Sequence, residues 1–353
     1  MPRRLPKLAL LTALLLSLTL PSYAGPVMPL EHSQSVADPS VVKTKKNKKY
    51  VVVGTGEQVV RMTSKNGRRW KAISPALITR PAWARTSGDI WASELVQLGG
   101  RWLLYFAAPV AGMNASSRCI GVAASSSATG QFTPVGDAPL VCPAAAATPP
   151  AADQMIDAGL TAPTMESHGA IDPSIYVGPQ NVFLLYKTDG IPSSIRLLKL
   201  ARNGLTPLGE PSMTLVVSAG VVENPVLLKR GRWFYLFTSV GDYATCGYAE
   251  TWRRSDSPYL WLGAEHVILS KPKNKLCGPG GADVITEGRG KKRKVTLYFH
   301  AWVCRDKGKP CKEPFHEYPP GAEASRSPVR ALYGVEVRFT KKKFPVRGKW
   351  VKP

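Results

Sequence analysis

The feature that most constrains the fold of this chain is a β-hairpin pattern that recurs along it and often opens with a carboxylate. In the clearest copy, residues 169–188 (GAIDPSIYVGPQNVFLLYKT), an acidic turn precedes two apolar runs that a short turn separates. Alternating apolar residues bounded by Gly and Pro are typical of β-hairpins. With 31 glycines and 31 prolines and no long helical period after the N-terminus, the chain is predicted to be all-β.

Five copies of the hairpin pattern can be aligned, and each has an anchor residue near its start. The anchors are Asp38, Glu94, Asp172, Glu223 and Gly280. Successive anchors lie 56, 78, 51 and 57 residues apart, so each interval has room for four short strands. Five such units closed into a ring predict a single-domain five-bladed β-propeller. The first strand of each unit would line the central channel and present its anchor at one mouth.

The N-terminal segment, residues 1–24, is predicted to be a signal peptide. Basic residues precede a Leu-rich apolar stretch at 8–20, and Ser-Tyr-Ala at 22–24 fits signal peptidase cleavage. The apolar stretch is short for a membrane span and no second one follows, although a retained N-terminal anchor is the alternative. Residues 25–353 would then form a secreted, monomeric propeller domain without membrane contact.

Two further segments were assigned from composition. Residues 142–152 (CPAAAATPPAA) are a low-complexity stretch that indicates a surface loop inside the long second interval. Residues 331–339 (ALYGVEVRF) predict a strand that completes the last blade, with the basic residues 341–353 trailing after it. Closure of the ring by pairing with an N-terminal strand is expected.

The six cysteines predict disulfide bonds, in agreement with export. Six cysteines allow fifteen pairings, so the sequence alone does not fix them. We expect neighbours to pair, because each bond would close a loop within one repeat. The expected pairs are Cys119 with Cys142, Cys246 with Cys277, and Cys304 with Cys311. A zinc site is disfavoured because no C-x-x-C or Cys/His cluster is present.

The chain is strongly basic, with a formal net charge of +23. Much of this charge lies in three runs at 43–49, 289–294 and 341–343, where turns or a terminus are expected. The runs are therefore either solvated loops or a means of attracting a polyanion such as an acidic glycan or a cell wall. Nucleic acid is the poorer candidate because no aromatic residues are interleaved with the basic ones.

Three carboxylates carry the candidate chemistry: Asp38, Asp172 and Glu223. Hydrolysis of a glycosidic bond needs an acid for the leaving oxygen and a base or nucleophile on the other face of the sugar. A third carboxylate nearby can keep the acid protonated. A single Asp-Pro is usually a turn opener that caps its own backbone. Two Asp-Pro-Ser copies and a Glu-Asn-Pro at corresponding places favour catalysis.

These motifs resemble glycoside hydrolase family 43. The resemblance rests on ADPSV, on IDPS followed by LLYKTDG, and on ENPVLLKRGRWFYLF, and it spans residues 36–339. It implies that Asp38 is the general base, Asp172 the modulator of pKa and position, and Glu223 the general acid. It also implies a five-bladed propeller that inverts the anomeric configuration.

Three softer assignments follow from the same resemblance. Trp91 opens WASEL, which is similar to the family's Trp-Ala-Pro-acid motif, and is either a sugar-stacking platform or a core residue. Within this motif Glu94 is expected to be structural. His300 resembles a family histidine near the channel and binds substrate or packs in the core. Many relatives have a histidine where this chain has Gly281, and in arabinanase-like relatives that histidine belongs to a central cation site. Its absence here argues against a calcium ion in the channel. We expect that no cofactor is required, and we assign no metal ligands.

The sequence thus predicts a secreted glycoside hydrolase whose substrate is an arabinose- or xylose-containing plant polysaccharide or oligosaccharide. An α-L-arabinofuranosidase or arabinanase is favoured. The alternatives are a β-xylosidase and a non-catalytic glycan-binding propeller. A fructan-cleaving enzyme ranks last, because such enzymes usually show Arg-Asp-Pro and Glu-Cys motifs where this chain has Ile-Asp-Pro and Glu-Asn.

Overall fold

The computed structural model describes residues 27–111, 117–142, 169–208, 212–304, 309–314 and 327–353. The predicted signal peptide and nearly all of the 142–152 loop lie outside these residues. The described part forms five antiparallel sheets, each with four strands in sequence order, plus one short extra strand beside the last sheet. This is the predicted five-bladed β-propeller.

The strands of the first three blades are β1 (Ser40–Lys43), β2 (Tyr50–Gly54), β3 (Val60–Ser64) and β4 (Lys71–Ala72); β5 (Trp91–Leu98), β6 (Arg101–Pro109), β7 (Arg118–Ser125) and β8 (Thr133–Pro134); β9 (Ala170–Val177), β10 (Val182–Thr188), β11 (Ser193–Leu200) and β12 (Met213–Ser218). Blade four contains β13 (Val222–Arg230), β14 (Trp233–Val240), β15 (Ala249–Ser255) and β16 (His266–Leu269). Blade five contains β17 (Cys277–Glu287), β18 (Lys294–Cys304), β20 (Pro328–Phe339) and β21 (Pro345–Trp350), with the extra β19 (Lys309–Pro310) beside β18. A four-residue helix, α1 (Lys271–Asn274), precedes β17, and a 3-10 turn spans Gly290–Lys292.

The second strand of each blade is apolar on both faces because each blade packs between two others. On β6, Leu104 and Phe106 pack toward blade one, whereas Leu103 and Tyr105 pack toward blade three. Side chains alternate between the faces of a strand, so a continuous apolar run serves both neighbours. The core is therefore divided into five main apolar clusters, one at each blade–blade interface.

The first strands of the blades form the inner ring. Each of β1, β5, β9, β13 and β17 lies beside the first strands of the blades on either side. All five run in the same direction, so their N-terminal ends meet at one mouth of the channel, as predicted. Near that mouth each blade has a residue with positive φ at an equivalent place; these residues are Asp38, Ala92, Asp172, Asn224 and Gly281.

These backbone positions correct the sequence alignment of three anchors. Asp38 and Asp172 occupy the shared positive-φ position. Glu223 lies one residue before it, Glu94 two residues after it, and Gly280 one residue before it. A one-residue bulge lies at this same point of β5, β9, β13 and β17, so the offset arises because the alignment matched sequence motifs rather than this shared backbone position.

The chain ends differ from the predictions in two respects. Strand β20 completes blade five as predicted, but residues 341–353 do not trail after it, because β21 pairs with β20 as the outermost strand. Ring closure uses a few backbone hydrogen bonds to β20: Leu30 N–H donates to the Leu332 carbonyl (2.7 Å), Leu332 N–H donates to the Glu31 carbonyl (2.9 Å), and Val36 N–H donates to the Arg330 carbonyl (2.8 Å). The N-terminal segment therefore caps blade five without adding a strand to it.

The predicted cysteine pairs are confirmed. The three disulfide bonds join Cys119 with Cys142, Cys246 with Cys277, and Cys304 with Cys311. The three basic runs fall in the β1–β2, β17–β18 and β20–β21 turns, at the blade ends opposite the mouth. Within the described residues, no helix is long and apolar enough to cross a membrane.

Candidate active site

A pocket of about 630 Å³ opens at the mouth of the channel, and all three predicted catalytic carboxylates line it. Asp38 comes from blade one, Asp172 from blade three and Glu223 from blade four. The propeller thus brings together residues that are 185 positions apart in the sequence. Lys187 and Arg330 are the cations among the described lining residues.

Asp38 is surrounded by groups that favour its ionised form. Thr55 Oγ1 donates to Asp38 Oδ2 (2.8 Å), and Arg330 Nη1 lies 3.3 Å from the same oxygen. Burial alone would raise the pKa of Asp38, but the charge of Arg330 and the Thr55 hydrogen bond hold it below its usual range. A carboxylate that stays ionised suits the general-base role predicted for it.

His300 lies behind Asp38 rather than in the pocket. Its side chain is fully buried, and burial lowers its pKa to about 3, so the ring is neutral. Its Nδ1 accepts a hydrogen bond from the Asp38 backbone N–H (3.1 Å), which leaves the ring proton on Nε2. The predicted contact of His300 with substrate is therefore replaced by a positioning contact to Asp38.

Gly281 completes the wall behind Asp38. It has φ +60°, and a Cβ at this position would lie 2.5 Å from His300 Nδ1 and 2.8 Å from Asp38 Oδ1. Glycine is therefore required for close approach. Position 281 offers no ligand atom from a side chain, and among the described residues no three His, Cys, Asp or Glu side chains form a group that could hold a metal. Position 281 thus supplies no ligand for a channel cation, and we derive no step through one.

Glu223 receives a hydrogen bond on each carboxylate oxygen. Lys187 Nζ donates to Oε2 (2.8 Å) and Tyr248 Oη donates to Oε1 (2.7 Å). Burial and the charge of Glu223 raise the pKa of Tyr248 well above its usual value, so the phenol stays a donor. Lys187 is only 5% exposed and also lies 3.1 Å from Asp189 Oδ1. Burial opposes its charge, but Glu223 and Asp189 outweigh burial and raise the pKa of Lys187.

Asp172 lies where burial and a neighbouring carboxylate favour its protonated form. Its Oδ2 accepts a hydrogen bond from the Asn224 backbone N–H (2.9 Å), which ties blade three to the strand that carries Glu223. Burial and then the charge of Glu223 raise the pKa of Asp172 well above its usual value. The charge of Glu223 thus acts on Asp172 within one pocket, which fits the predicted modulating role of Asp172.

Trp91 lies at the pocket wall, as a sugar platform requires. Its ring lines the pocket, and the Arg118 guanidinium stacks on it with Cζ 3.0 Å from the ring centroid. Burial lowers the pKa of Arg118 to about 10, which leaves it charged at neutral pH. The cation holds the indole in place. The rim beyond it is acidic, with Asp89, Asp189 and Asp242 among the lining residues.

Glu94 lies below the pocket, in the channel wall. Ser40 Oγ donates to its Oε2 (2.7 Å), and the Ile175 backbone N–H donates to its Oε1 (3.3 Å). Burial and the nearby Asp283 raise the pKa of Glu94 well above its usual value. The side chain thus links the first strands of three blades, which agrees with its predicted structural role.

The sequence did not single out Lys187, Tyr248 or Arg330. Lys187 had one usable signal, since a lysine within the apolar run VFLLYKT must be paired if it is buried. Tyr248 and Arg330 had none, because a tyrosine before a strand and an arginine near a strand start are common in exposed loops.

The family comparison covers most of the chain. Residues 26–310 match the family described as Glycosyl hydrolases family 43. The chain is 24% identical over 307 residues to the extracellular endo-α-(1→5)-L-arabinanase 1 of Bacillus subtilis (strain 168), which covers 77% of this chain and 82% of that protein. It is likewise 24% identical over 296 residues to an extracellular exo-α-(1→5)-L-arabinofuranosidase of Cellvibrio japonicus (strain Ueda107), covering 74% and 73%.

Solved structures share the fold. A thermostable family-43 glycoside hydrolase superposes with a TM-score of 0.69 at 18% identity, covering 93% of this chain and 97% of that one. An exo-1,5-α-L-arabinanase from a bovine ruminal metagenomic library gives 0.63 at 20% identity, covering 89% and 97%. With the family match over most of its length and three carboxyl groups in one pocket, the chain belongs to glycosyl hydrolase family 43 and is a glycoside hydrolase.

Proposed function

We propose that this protein is a secreted, inverting glycoside hydrolase that releases arabinose or arabino-oligosaccharides from arabinan-type polysaccharides, as an α-L-arabinofuranosidase or arabinanase. One observation carries the proposal: Asp38, Asp172 and Glu223 converge on a single pocket, in the order and spacing of the family motifs. The relatives named above are extracellular enzymes for α-(1→5)-linked L-arabinose, which supports both the sugar and the location.

Asp38 supplies the base. Water bound beside its ionised carboxylate attacks the anomeric carbon while Asp38 takes the proton. Arg330 and Thr55 keep the carboxylate charged and oriented before the sugar arrives. Pre-organisation of this kind avoids reorganising the site during the reaction.

Glu223 supplies the acid. Its proton passes to the glycosidic oxygen as the bond from that oxygen to the anomeric carbon breaks, and the leaving sugar departs as an alcohol. With Lys187 and Tyr248 both donating to it, Glu223 in the free protein is arranged as a carboxylate. To act as an acid, Glu223 binds a proton before the sugar reacts, and Lys187 then pairs with Asp189, its second partner at 3.1 Å.

The test is hydrolysis of aryl α-L-arabinofuranosides, aryl β-D-xylosides, arabinan and arabinoxylan. Wild type is compared with Glu223→Gln and Asp38→Asn, and the matched controls are the exposed Glu57→Gln and Asp256→Asn. We expect release of arabinose that each catalytic substitution reduces by at least about a thousandfold and that the controls leave unchanged.

The stereochemical part has its own readout. NMR observed during the first turnovers should show the arabinose anomer opposite to that of the substrate, as single displacement by water requires. Retained configuration would refute inversion but not hydrolysis. A folded wild type that releases no sugar from any of these substrates, yet binds arabinan, would favour the glycan-binding propeller instead.

A further inference from the structure

A second large concave surface lies on the same face of the propeller as the pocket. It is a groove of about 970 Å³ bordered by α1, by the connection from β18 to β20, and by the chain after β21. Six lysines line it, and we refer to it as the basic groove: Lys271, Lys273, Lys275, Lys309, Lys312 and Lys352. No Asp or Glu side chain is among its described lining residues.

The topology places the basic groove beside the mouth. Strand β17 starts at the mouth, and α1 leads directly into it. Cys277 lines the groove, and Gly281, four residues later, approaches Asp38 in the pocket. Four residues of strand span about 13 Å. By contrast, the three basic runs found in the sequence lie at the opposite face.

The walls of the basic groove are covalently braced. The Cys246–Cys277 bond fixes the chain that follows α1, and the Cys304–Cys311 bond fixes the connection that carries two of the lysines. Lys271 Nζ also donates to the Lys312 carbonyl across the groove (3.0 Å) and lies 3.5 Å from Glu313 Oε1, a half-exposed ion pair at the edge of the groove. A cluster of positive charges attracts a multivalent anion. Because the disulfides already hold this surface rigid, the protein loses little conformational entropy when the anion binds.

The pocket has the opposite charge. Six carboxyl groups and two cations line it, so an anionic sugar is repelled there and attracted to the groove. The partly buried Trp350 also lines the groove, and its ring packs against Phe299 and lies under the Arg347 guanidinium. A polysaccharide that binds to both surfaces would place acidic sugar units in the groove and neutral sugar units in the pocket.

We propose that the basic groove binds the carboxylate-bearing backbone of an acidic polysaccharide, and so presents neutral arabinose branches to the adjacent pocket. This rests on the proposed function for the identity of the branch, but binding in the groove is independent of turnover. The proposed substrate is therefore a branched polysaccharide that has a polyuronate backbone and arabinose side branches in one molecule.

The test compares two variants with equal charge loss. The groove variant carries Lys275→Gln, Lys309→Gln and Lys352→Gln. The matched control carries Lys45→Gln, Lys46→Gln and Lys49→Gln, which are exposed in the β1–β2 turn on the far face. Binding to polygalacturonate is measured by affinity electrophoresis and titration at low and at physiological salt, beside neutral arabinan as the uncharged probe.

We expect the groove variant to lose affinity for polygalacturonate by on the order of tenfold or more, and the control by no more than about twofold. Affinity for neutral arabinan and hydrolysis of a small aryl arabinoside should stay unchanged in both. Equal losses in the two variants, or none in the groove variant, would overturn the proposal. So would tighter binding of the wild type to inorganic polyphosphate or DNA than to polygalacturonate.

These readouts separate the two proposals. Loss of polygalacturonate binding in the groove variant, with no sugar released by wild type, would support the groove and refute the proposed activity. Normal arabinoside hydrolysis with equal polygalacturonate binding in all three proteins would refute the groove alone.

Discussion

Replacing Arg330 by Met should move the acid limb of the pH–activity profile to higher pH. Arg330 Nη1 lies 3.3 Å from Asp38 Oδ2, and both side chains are 16% exposed. Asp38 has to be ionised to act as a base, so activity falls as the pH drops through its pKa. Removing the cation raises that pKa toward and above its unfolded value, and the limb follows it upward.

The size of the shift follows from the distance. At an effective dielectric constant of about 20, two unit charges 3.3 Å apart attract each other by about 5 kcal/mol before the cost of removing them from water. An adjacent arginine lowers a carboxyl pKa by about 1–3 units in practice. Because Thr55 and His300 remain in place, we expect about one pH unit, which corresponds to about 1.4 kcal/mol.

The assay is kcat/KM against pH for an aryl glycoside that the wild type hydrolyses, since kcat/KM reports the ionisation of the free enzyme. Arg330→Lys keeps the charge but not the planar group over Tyr243, and its acid limb should stay near that of wild type. Arg69→Met, an exposed change on the first blade, controls for net charge. An unmoved limb in Arg330→Met, or an equal shift in Arg330→Lys, would refute the electrostatic role of Arg330.

Two more predictions concern the support of the catalytic groups. Tyr248→Phe removes the hydroxyl group that donates to Glu223 at 2.7 Å, and it should lower kcat/KM by about tenfold or more with little change in Tm. The control is Tyr50→Phe, because the phenol of Tyr50 lies outside the pocket. An equal loss of kcat/KM in the control would contradict the prediction. Gly281→Ala adds a methyl within 2.8 Å of Asp38 Oδ1 at positive φ, so both the free energy of unfolding, by about 1–3 kcal/mol, and kcat/KM should fall. An active variant with unchanged Tm would show that the wall behind the base is not tightly packed.

The blade architecture could be predicted because each strand and turn is visible as a short apolar run or a turn motif in the sequence. In β10, seven consecutive buried residues reflect a strand covered on both faces, and the turn at 178–181 separates it from β9. The outermost strand β21 was missed for the same reason. Most of its side chains face solvent, so PVRGKW shows little apolar alternation, and the lysines before it resembled a tail.

The exact positions of the anchor residues at the mouth are harder to predict from the sequence than the strands. Ala92 and Asn224 adopt positive φ at the mouth, although neither residue type requires it. A bulge of one residue lies at this position in β5, β9, β13 and β17, and the sequence period alone does not show such an insertion. Ala92 rather than Glu94 therefore corresponds to Asp172, and the structure puts Glu94 deeper in the channel with Asp283.

The same reasoning separates the groups of the active site that sequence could find from those it could not. Asp38, Asp172 and Glu223 were found because the repeat places similar motifs near the same point of three blades. Lys187 and Arg330 each occur once, on a second and on a third strand, so no repeat reveals them. Yet Arg330 helps to hold the pKa of Asp38 below its usual range, and Lys187 donates a hydrogen bond to Glu223. In the proposed mechanism the repeated positions supply the reacting carboxyl groups and the unrepeated ones place charges beside them, so we expect a variant that keeps all three carboxyl groups but lacks Arg330 or Lys187 to lose activity.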